Sequence, residues 1–230
     1  MSTSSGVDIS ALVSNAQELI RKELREAQGP VCVTSSFQAD CMALVHLLTR
    51  ELPEIPVLFL DTGYHFAETY AYRDEMTSKF SLQLENLRAA KTVAEQEAEF
   101  GQLYSTAPDK CCGLRKVEPL FAGLQPYSVW FTALRRDQSP TRAGLLESAP
   151  FQLPGGKAIQ KVAPLAAWTM RDVWAYLKAN GIPPLPLYDR GYTSIGCEPC
   201  TALPSLEGSD RSGRWGGKKL ECGIHIQAAS

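Results

Sequence analysis

The chain has 230 residues, 44% of them apolar and 21% charged, with a net charge of −2. That length buries a substantial core as one large domain, or one domain with a small appendage, and the near-neutral charge excludes a general attraction to nucleic acid. No basic stretch at the start leads into an apolar run, and no apolar segment approaches the roughly 20 residues that span a bilayer, so a cytoplasmic protein with no membrane partner is expected.

The first predicted element is a helix capped by Asp8 or Ser10, with Leu12, Ala16, Leu19, Ile20 and Leu24 at helical spacing and Gly29-Pro30 as its stop. Val31 to Thr34 reads as a short buried strand, Ser35 to Asp40 as a polar turn, and Met42, Leu44, Val45, Leu47 and Leu48 as a largely apolar helix. The cycle repeats with a strand over Ile55 to Leu60, the turn Asp61-Thr62-Gly63 and a helix from Phe66 to about Lys79. A third strand is expected at Leu82 to Leu84 and a solvated acidic helix at Val93 to Phe100. Strand, polar turn and helix in alternation predict an α/β fold with a parallel sheet, whose ligands bind beyond the carboxyl ends of the strands, where both turns sit.

Cys111 to about Gly123 is predicted helical, with Pro119 kinking or ending it. Tyr127 to Thr132 is a strand that leads into the polar loop Leu134 to Arg142, and Ala158 to Val162 is a further strand. Thr169 caps a helix carrying Val173, Trp174, Tyr176 and Leu177, which Asn180-Gly181 ends. Pro183, Pro184 and Pro186 force an extended path, and from Pro204 to Lys219 the chain is Gly/Ser-rich, basic and aperiodic. Residues 1–203 are therefore expected to form the nucleotide-binding domain and 204–230 a mobile C-terminal tail.

Seven cysteines without a secretory signal point to metal and redox chemistry rather than a disulfide framework. Cys111-Cys112 and the pair Cys197 and Cys200 suit Zn²⁺ or an iron–sulfur cluster by charge and softness. The adjacency of the first pair favours a cluster, since neighbouring cysteines bind different irons of a cubane more easily than they surround one tetrahedral ion. Cys32 and Cys41 read as core, and Cys222 stands alone in a tail with Arg211, Arg214, Lys218 and Lys219, cations that favour its thiolate.

Ser35 and Ser36 can meet a phosphate with hydroxyls and helix-start N–H groups, or can simply cap the helix. Arg135, Arg136 and Arg142 form a cationic loop suited to phosphate or sulfate. Lys116, one helical turn beyond Cys112, would stand beside the metal site, and His65 is a candidate to face a nucleotide. His225 could assist Cys222 or bind a phosphate.

Five motifs in order resemble the assimilatory adenylyl-sulfate (APS) reductases, within the phosphoadenylyl-sulfate (PAPS) reductase family. They are Phe59-Leu60-Asp61-Thr62-Gly63, Cys111-Cys112-Gly113-Leu114-Arg115-Lys116, Arg135-Arg136-Asp137-Gln138-Ser139-Pro140, Cys197-Glu198-Pro199-Cys200 and Glu221-Cys222-Gly223-Ile224-His225. The resemblance implies an adenine nucleotide alpha-hydrolase-like, PP-loop type domain with helices on both faces. It implies a [4Fe-4S] cluster on Cys111, Cys112, Cys197 and Cys200, which in the family accompanies preference for APS over PAPS. It makes Cys222 the nucleophile that attacks the sulfate sulfur, expels AMP and carries a thiosulfonate until thioredoxin releases sulfite. Lys116, Arg211, Arg214 and His225 would supply the positive charge, and the Ser35-Ser36 turn, Asp61-Thr62-Gly63, Arg135 and Arg136 would hold the nucleotide. Where many relatives have a glycine in the first turn, this chain has Phe37-Gln38-Ala39. A tRNA sulfur-transferase or a zinc-stapled, non-catalytic module are the other readings, the first requiring a more basic surface and the second leaving Cys222 unexplained. A homo-oligomer is compatible with all of them.

Overall fold

The computed structural model describes residues 8–205, 211–217, 223 and 224. Cys222 and His225 lie outside the described residues.

A six-stranded sheet forms the centre, in the order β3-β2-β1-β4-β6-β5. Its strands are β1 (Val31–Thr34), β2 (Pro56–Asp61), β3 (Gln83–Arg88), β4 (Val129–Phe131), β5 (Ser148–Gln152) and β6 (Ala158–Val162). All neighbours pair in parallel except β5 and β6, which form an antiparallel edge. The helices in chain order are α1 (Ser10–Glu26), α2 (Ala39–Glu51), α3 (Ala67–Phe80), α4 (Val93–Phe100), α5 (Leu103–Thr106), α6 (Pro108–Cys112), α7 (Glu118–Leu124) and α8 (Met170–Ala179). Among the described residues, no helix is long and apolar enough to cross a membrane.

Side-chain alternation along the strands divides the core. Val33, Val57, Phe59, Val129 and Phe131 face the larger cluster, which holds Ile20 of α1, Leu44 of α2, Met76 of α3 and Val173 of α8. Their strand neighbours Cys32, Leu58 and Trp130 face the opposite side, against Leu120 and Leu124 of α7. Helices thus cover both faces, as the near-continuous apolar strands require. Capping boxes open α4 at Thr92 and Glu95, and α8 at Thr169 and Asp172.

Several elements depart from the sequence reading: β3 runs to Arg88 and not Leu84, and α5 and α6 precede the helix expected from Cys111. Ser148–Gln152 is a strand despite Pro150, because it lies on the sheet edge, where a missing N–H is tolerated. Pro119 neither ends nor breaks its helix. It sits in the first turn of α7, just after a π-helical stretch over Gly113–Val117. That wider turn joins α6 to α7 and places the proline where an intrahelical N–H is least needed.

The chain runs outward through β1, β2 and β3 and returns to the other side of β1 with β4. The reversal opens a crevice at the carboxyl ends of β1 and β4, the position where open α/β sheets take ligands.

Candidate active site

A cavity of about 210 Å³ occupies that crevice. Thr34, Ser35 and Ser36 form one wall, Thr132 and Arg135 another, and Lys116, Arg211, Arg214 and Trp215 close over it. The first turn holds its shape without a glycine. Phe37 takes a left-handed φ of 57°, which costs a non-glycine residue about 1–2 kcal/mol. Its ring is fully buried and meets Phe59 edge-on at 5.8 Å, and burial of a phenylalanine contributes about 1.5–3 kcal/mol, enough to hold the strained backbone. The Phe37 N–H donates to Ser35 Oγ at 3.1 Å, and Gln38 Nε2 donates to Ser36 Oγ at 3.0 Å. Gln38 Oε1 in turn accepts the Ile195 N–H at 2.9 Å, tying this turn to the chain that leads into Cys197.

Cys41 packs against the core, as expected, and also lines the cavity, where its sulfur accepts from the Ser36 N–H at 3.4 Å. Burial, with Asp40 beside it, pushes its thiol up to about 11, so it stays protonated at neutral pH. His65 also lines the cavity. Its Nε2 donates to the Leu60 carbonyl at 2.9 Å, and burial, which outweighs that hydrogen bond, lowers its pKa to about 4, so the ring is neutral at physiological pH.

The arginine loop is not a uniformly solvated charge run. Arg135 is 2% exposed and is held between Asp40, at 3.8 Å, and Asp137. Gln138 binds Asp40 as well, fastening α2 to the loop after β4. Arg136 is not brought to the cavity: its Nε donates to the Leu145 carbonyl at 2.9 Å and its Nη2 lies 3.4 Å from Glu147. Asp61, Thr62 and Gly63 do not line the cavity either. Asp61 accepts from Tyr70 at 2.7 Å and Arg88 at 3.0 Å, and Gly63 is required sterically, because a Cβ there would come within 2.6 Å of Val93.

Thr62 instead lines a second, smaller cavity with Cys111, Cys112, Cys197 and Cys200. These two cysteine pairs, distant in sequence, thus surround one space, and none of the four is in a disulfide. Burial and then the neighbouring thiols of Cys112, Cys197 and Cys200 push Cys111 up to about 11. At Cys197 burial acts upward, but Lys116, a hydrogen bond with Thr62 at 3.3 Å and Arg214 outweigh it and leave the thiol below its ordinary value. No three Cys, His, Asp or Glu side chains among the described residues are grouped to hold a single metal ion. Four uncrosslinked thiols are a donor set that suits a core of several metal ions, and Lys116 and Arg115 would offset the negative charge of the thiolates.

Lys116 and Trp215 line both cavities and so join them. The π turn delivers Lys116 to this shared wall, and buried Arg115 anchors that turn by donating to the Thr62 carbonyl and, at 3.1 Å, to Gln96. Sequence reasoning missed Asp40, Gln138, Arg115 and Trp215. The acidic and amide partners of a buried arginine carry no local pattern, and Trp215 lies in a stretch without periodicity.

The described part of the tail is packed against the domain. Thr201 and Arg214 form an antiparallel bridge, and Arg214 and Trp215 are buried. Gly223 and Ile224, which follow Cys222, are also described, and Ile224 lines the larger cavity.

The family model for the phosphoadenosine phosphosulfate reductase domain matches residues 30–203. A Streptomyces coelicolor protein named adenosine 5'-phosphosulfate reductase is 44% identical over 215 residues, covering 92% of this chain and 89% of the relative. A Gloeobacter violaceus protein named phosphoadenosine 5'-phosphosulfate reductase is 43% identical over 215 residues, covering 91% and 88%. The crystal structure of phosphoadenylyl-sulfate reductase from Candida auris superposes with a TM-score of 0.67 at 23% identity, over 86% of this chain and 97% of that one. That likeness concerns the fold, and the adenine nucleotide alpha-hydrolase-like architecture expected from the sequence is the one found.

Proposed function

Because the chain belongs to the phosphoadenosine phosphosulfate reductase family, we propose that it is an enzyme of sulfate assimilation that reduces adenylyl sulfate to sulfite and AMP. The observation that carries this reading is the shared wall: Lys116 stands between a crevice at the nucleotide-binding position of the sheet and a cavity lined by four thiols. A sulfuryl group ringed by anionic oxygens resists a thiolate unless positive charge is placed around it. Lys116, Arg211 and Arg214 all line the crevice and would supply that charge, with His225 added from the tail.

In this reading Ser35, Ser36 and Arg135 hold the nucleotide, Asp61 and Gly63 shape the turn behind them, Thr62 faces the thiols, and Arg136 braces the loop from outside. The Cys222 thiolate attacks the sulfate sulfur and an S–S bond forms as the S–O bond breaks. AMP leaves with the electron pair. A thioredoxin thiolate then attacks Cys222 Sγ, sulfite departs, and the second thioredoxin thiol frees Cys222, so the dithiol supplies both electrons. With Arg214 and Trp215 packed on the domain, the part of the tail beyond them would bring Cys222 to the crevice and release it for thioredoxin. The position of Ile224 on the cavity wall supports that delivery. The reaction belongs in the cytoplasm, where thiols are kept reduced.

Cys111, Cys112, Cys197 and Cys200 would hold a [4Fe-4S] cluster, which would order the site and tune the charge around Lys116 without donating electrons. Anaerobically purified protein is expected to contain about four irons and four acid-labile sulfides per chain. Stoichiometric zinc without sulfide overturns this assignment.

The Gloeobacter violaceus relative named for the 3'-phosphorylated substrate makes PAPS the second reading. The two cysteine pairs favour APS. Sulfite release with reduced thioredoxin is expected to show the higher kcat/KM for APS, and an equal or reversed preference selects PAPS.

A further inference from the structure

We propose that Gly196 is a positioning residue: it is the seat on which the Arg214 guanidinium rests at the crevice, so the loop bearing Cys197 and Cys200 sets where that charge stands. This rests on the reading of the site given above, in which Arg214 faces the substrate sulfate. A Cβ at Gly196 would lie 2.1 Å from Arg214 Nη2, 2.2 Å from Nη1 and 2.4 Å from Cζ. The guanidinium therefore points its Nη1–Nη2 edge at the glycine, into the space a side chain would fill. Its Cζ lies over the Trp215 ring, 4.6 Å from the centroid. In contact with both glycine and indole, Arg214 is 4% exposed yet still lines the crevice.

Gly196 is not among the glycines with positive φ, so alanine suits its backbone and only the space forbids it. The seat is itself fastened to the cysteine loop. The Gly196 N–H donates to Thr201 Oγ1 at 3.1 Å, which donates to the Cys197 carbonyl at 2.9 Å. Thr201 bridges to Arg214, and the Ala202 N–H donates to the Gly213 carbonyl at 2.8 Å. Gly213 packs so closely on this strand that a Cβ would fall 2.0 Å from the Ala202 oxygen. The chain around Cys197 and Cys200 and the strap carrying Arg214 thus form one unit. Because a guanidinium is the far end of a flexible side chain, an alanine at 196 should move Arg214 before it disturbs the backbone.

The test is a double-mutant cycle on the reconstituted full chain. Gly196→Ala is expected to lower kcat/KM for APS on the order of 10²-fold, matching Arg214→Ala, with iron content and Tm close to the starting protein. Added to Arg214→Ala, it should cost less than about twofold, since the clash is gone. A readout independent of turnover is the Arg214 Nε–H resonance, displaced by the Trp215 ring, which should move to the range of exposed arginines in Gly196→Ala. If the unmutated chain does not turn over APS, the functional reading fails and the resonance alone decides the seat. An unmoved resonance, or an equal loss of activity with and without Arg214, overturns the proposal. If Gly196→Ala fails to fold but the double variant folds, the seat stands; if both fail, the glycine serves the backbone and the proposal falls.

Discussion

Cys222→Ser ends sulfite release, an expected loss on the order of 10⁴-fold or more, while iron content and nucleotide binding stay intact. The other six cysteines have other places in this reading: two have raised thiol pKa values and four would hold the cluster. Cys32 is fully buried beneath α7, and burial, with Glu85 nearby, raises its thiol pKa far above neutrality. Cys41 is pushed up to about 11 by burial first and Asp40 second. Cys111, Cys112, Cys197 and Cys200 share one cavity. Cys222 is the remaining thiol, and the cations near it in sequence, Arg211, Arg214, Lys218 and Lys219, would favour its ionised form. A serine hydroxyl keeps the size but is a far weaker nucleophile at neutral pH, and removing a covalent nucleophile commonly costs several orders of magnitude. Mixed with APS in the absence of thioredoxin, the unmutated chain should gain one sulfonate on the peptide containing Cys222, and the serine variant none. A sulfonate on Cys32 or Cys41, or continued sulfite release by the variant, would show a different nucleophile.

Lys116→Ala should lower kcat/KM by about 10²–10³-fold and leave Tm nearly unchanged. The ammonium lines the crevice and the thiol cavity at once, and it opposes the upward effect of burial on the Cys197 thiol. A charge-assisted contact that strengthens as the sulfate–oxygen bond breaks is worth roughly 2–4 kcal/mol in a preorganised site. The loss should fall mainly in kcat, because the contact grows in the transition state, and Lys116→Arg should recover part of it if positive charge is what matters. A loss confined to cluster assembly, with normal turnover per iron, would instead make Lys116 a counterion of the thiols alone. Iron content measured beside turnover separates the two roles.

The two strand–turn–helix cycles at the start were legible because apolar side chains report burial directly: Val33, Val57 and Phe59 stand in the core as their spacing implies. The convergence of four cysteines was legible too, since thiol pairs are rare enough to signal each other across the chain. Less visible was the destination of long polar side chains. Arg135 and Arg136 are adjacent and chemically identical, yet one is buried against Asp40 and the other reaches outward to Glu147. Strand direction and tertiary partners decide that difference, and neither is local. The π turn at Gly113–Val117 also escaped periodicity, because a five-residue turn shifts the helical phase without changing the residues that make it. Asp61-Thr62-Gly63 was correctly a turn between strand and helix, but its side chains serve the wall behind the crevice and the neighbouring thiols.

With the Phe37 ring buried edge-on against Phe59, the turn from Ser35 to Asp40 is expected to hold its shape before a ligand arrives. Fixing a residue's backbone costs roughly 1–2 kcal/mol of conformational entropy, and here that ordering is completed during folding rather than repeated at each binding event. A looser glycine turn would surrender the same entropy whenever a nucleotide arrived. Capture by this chain is therefore expected to be limited by encounter and not by a loop searching for its closed form.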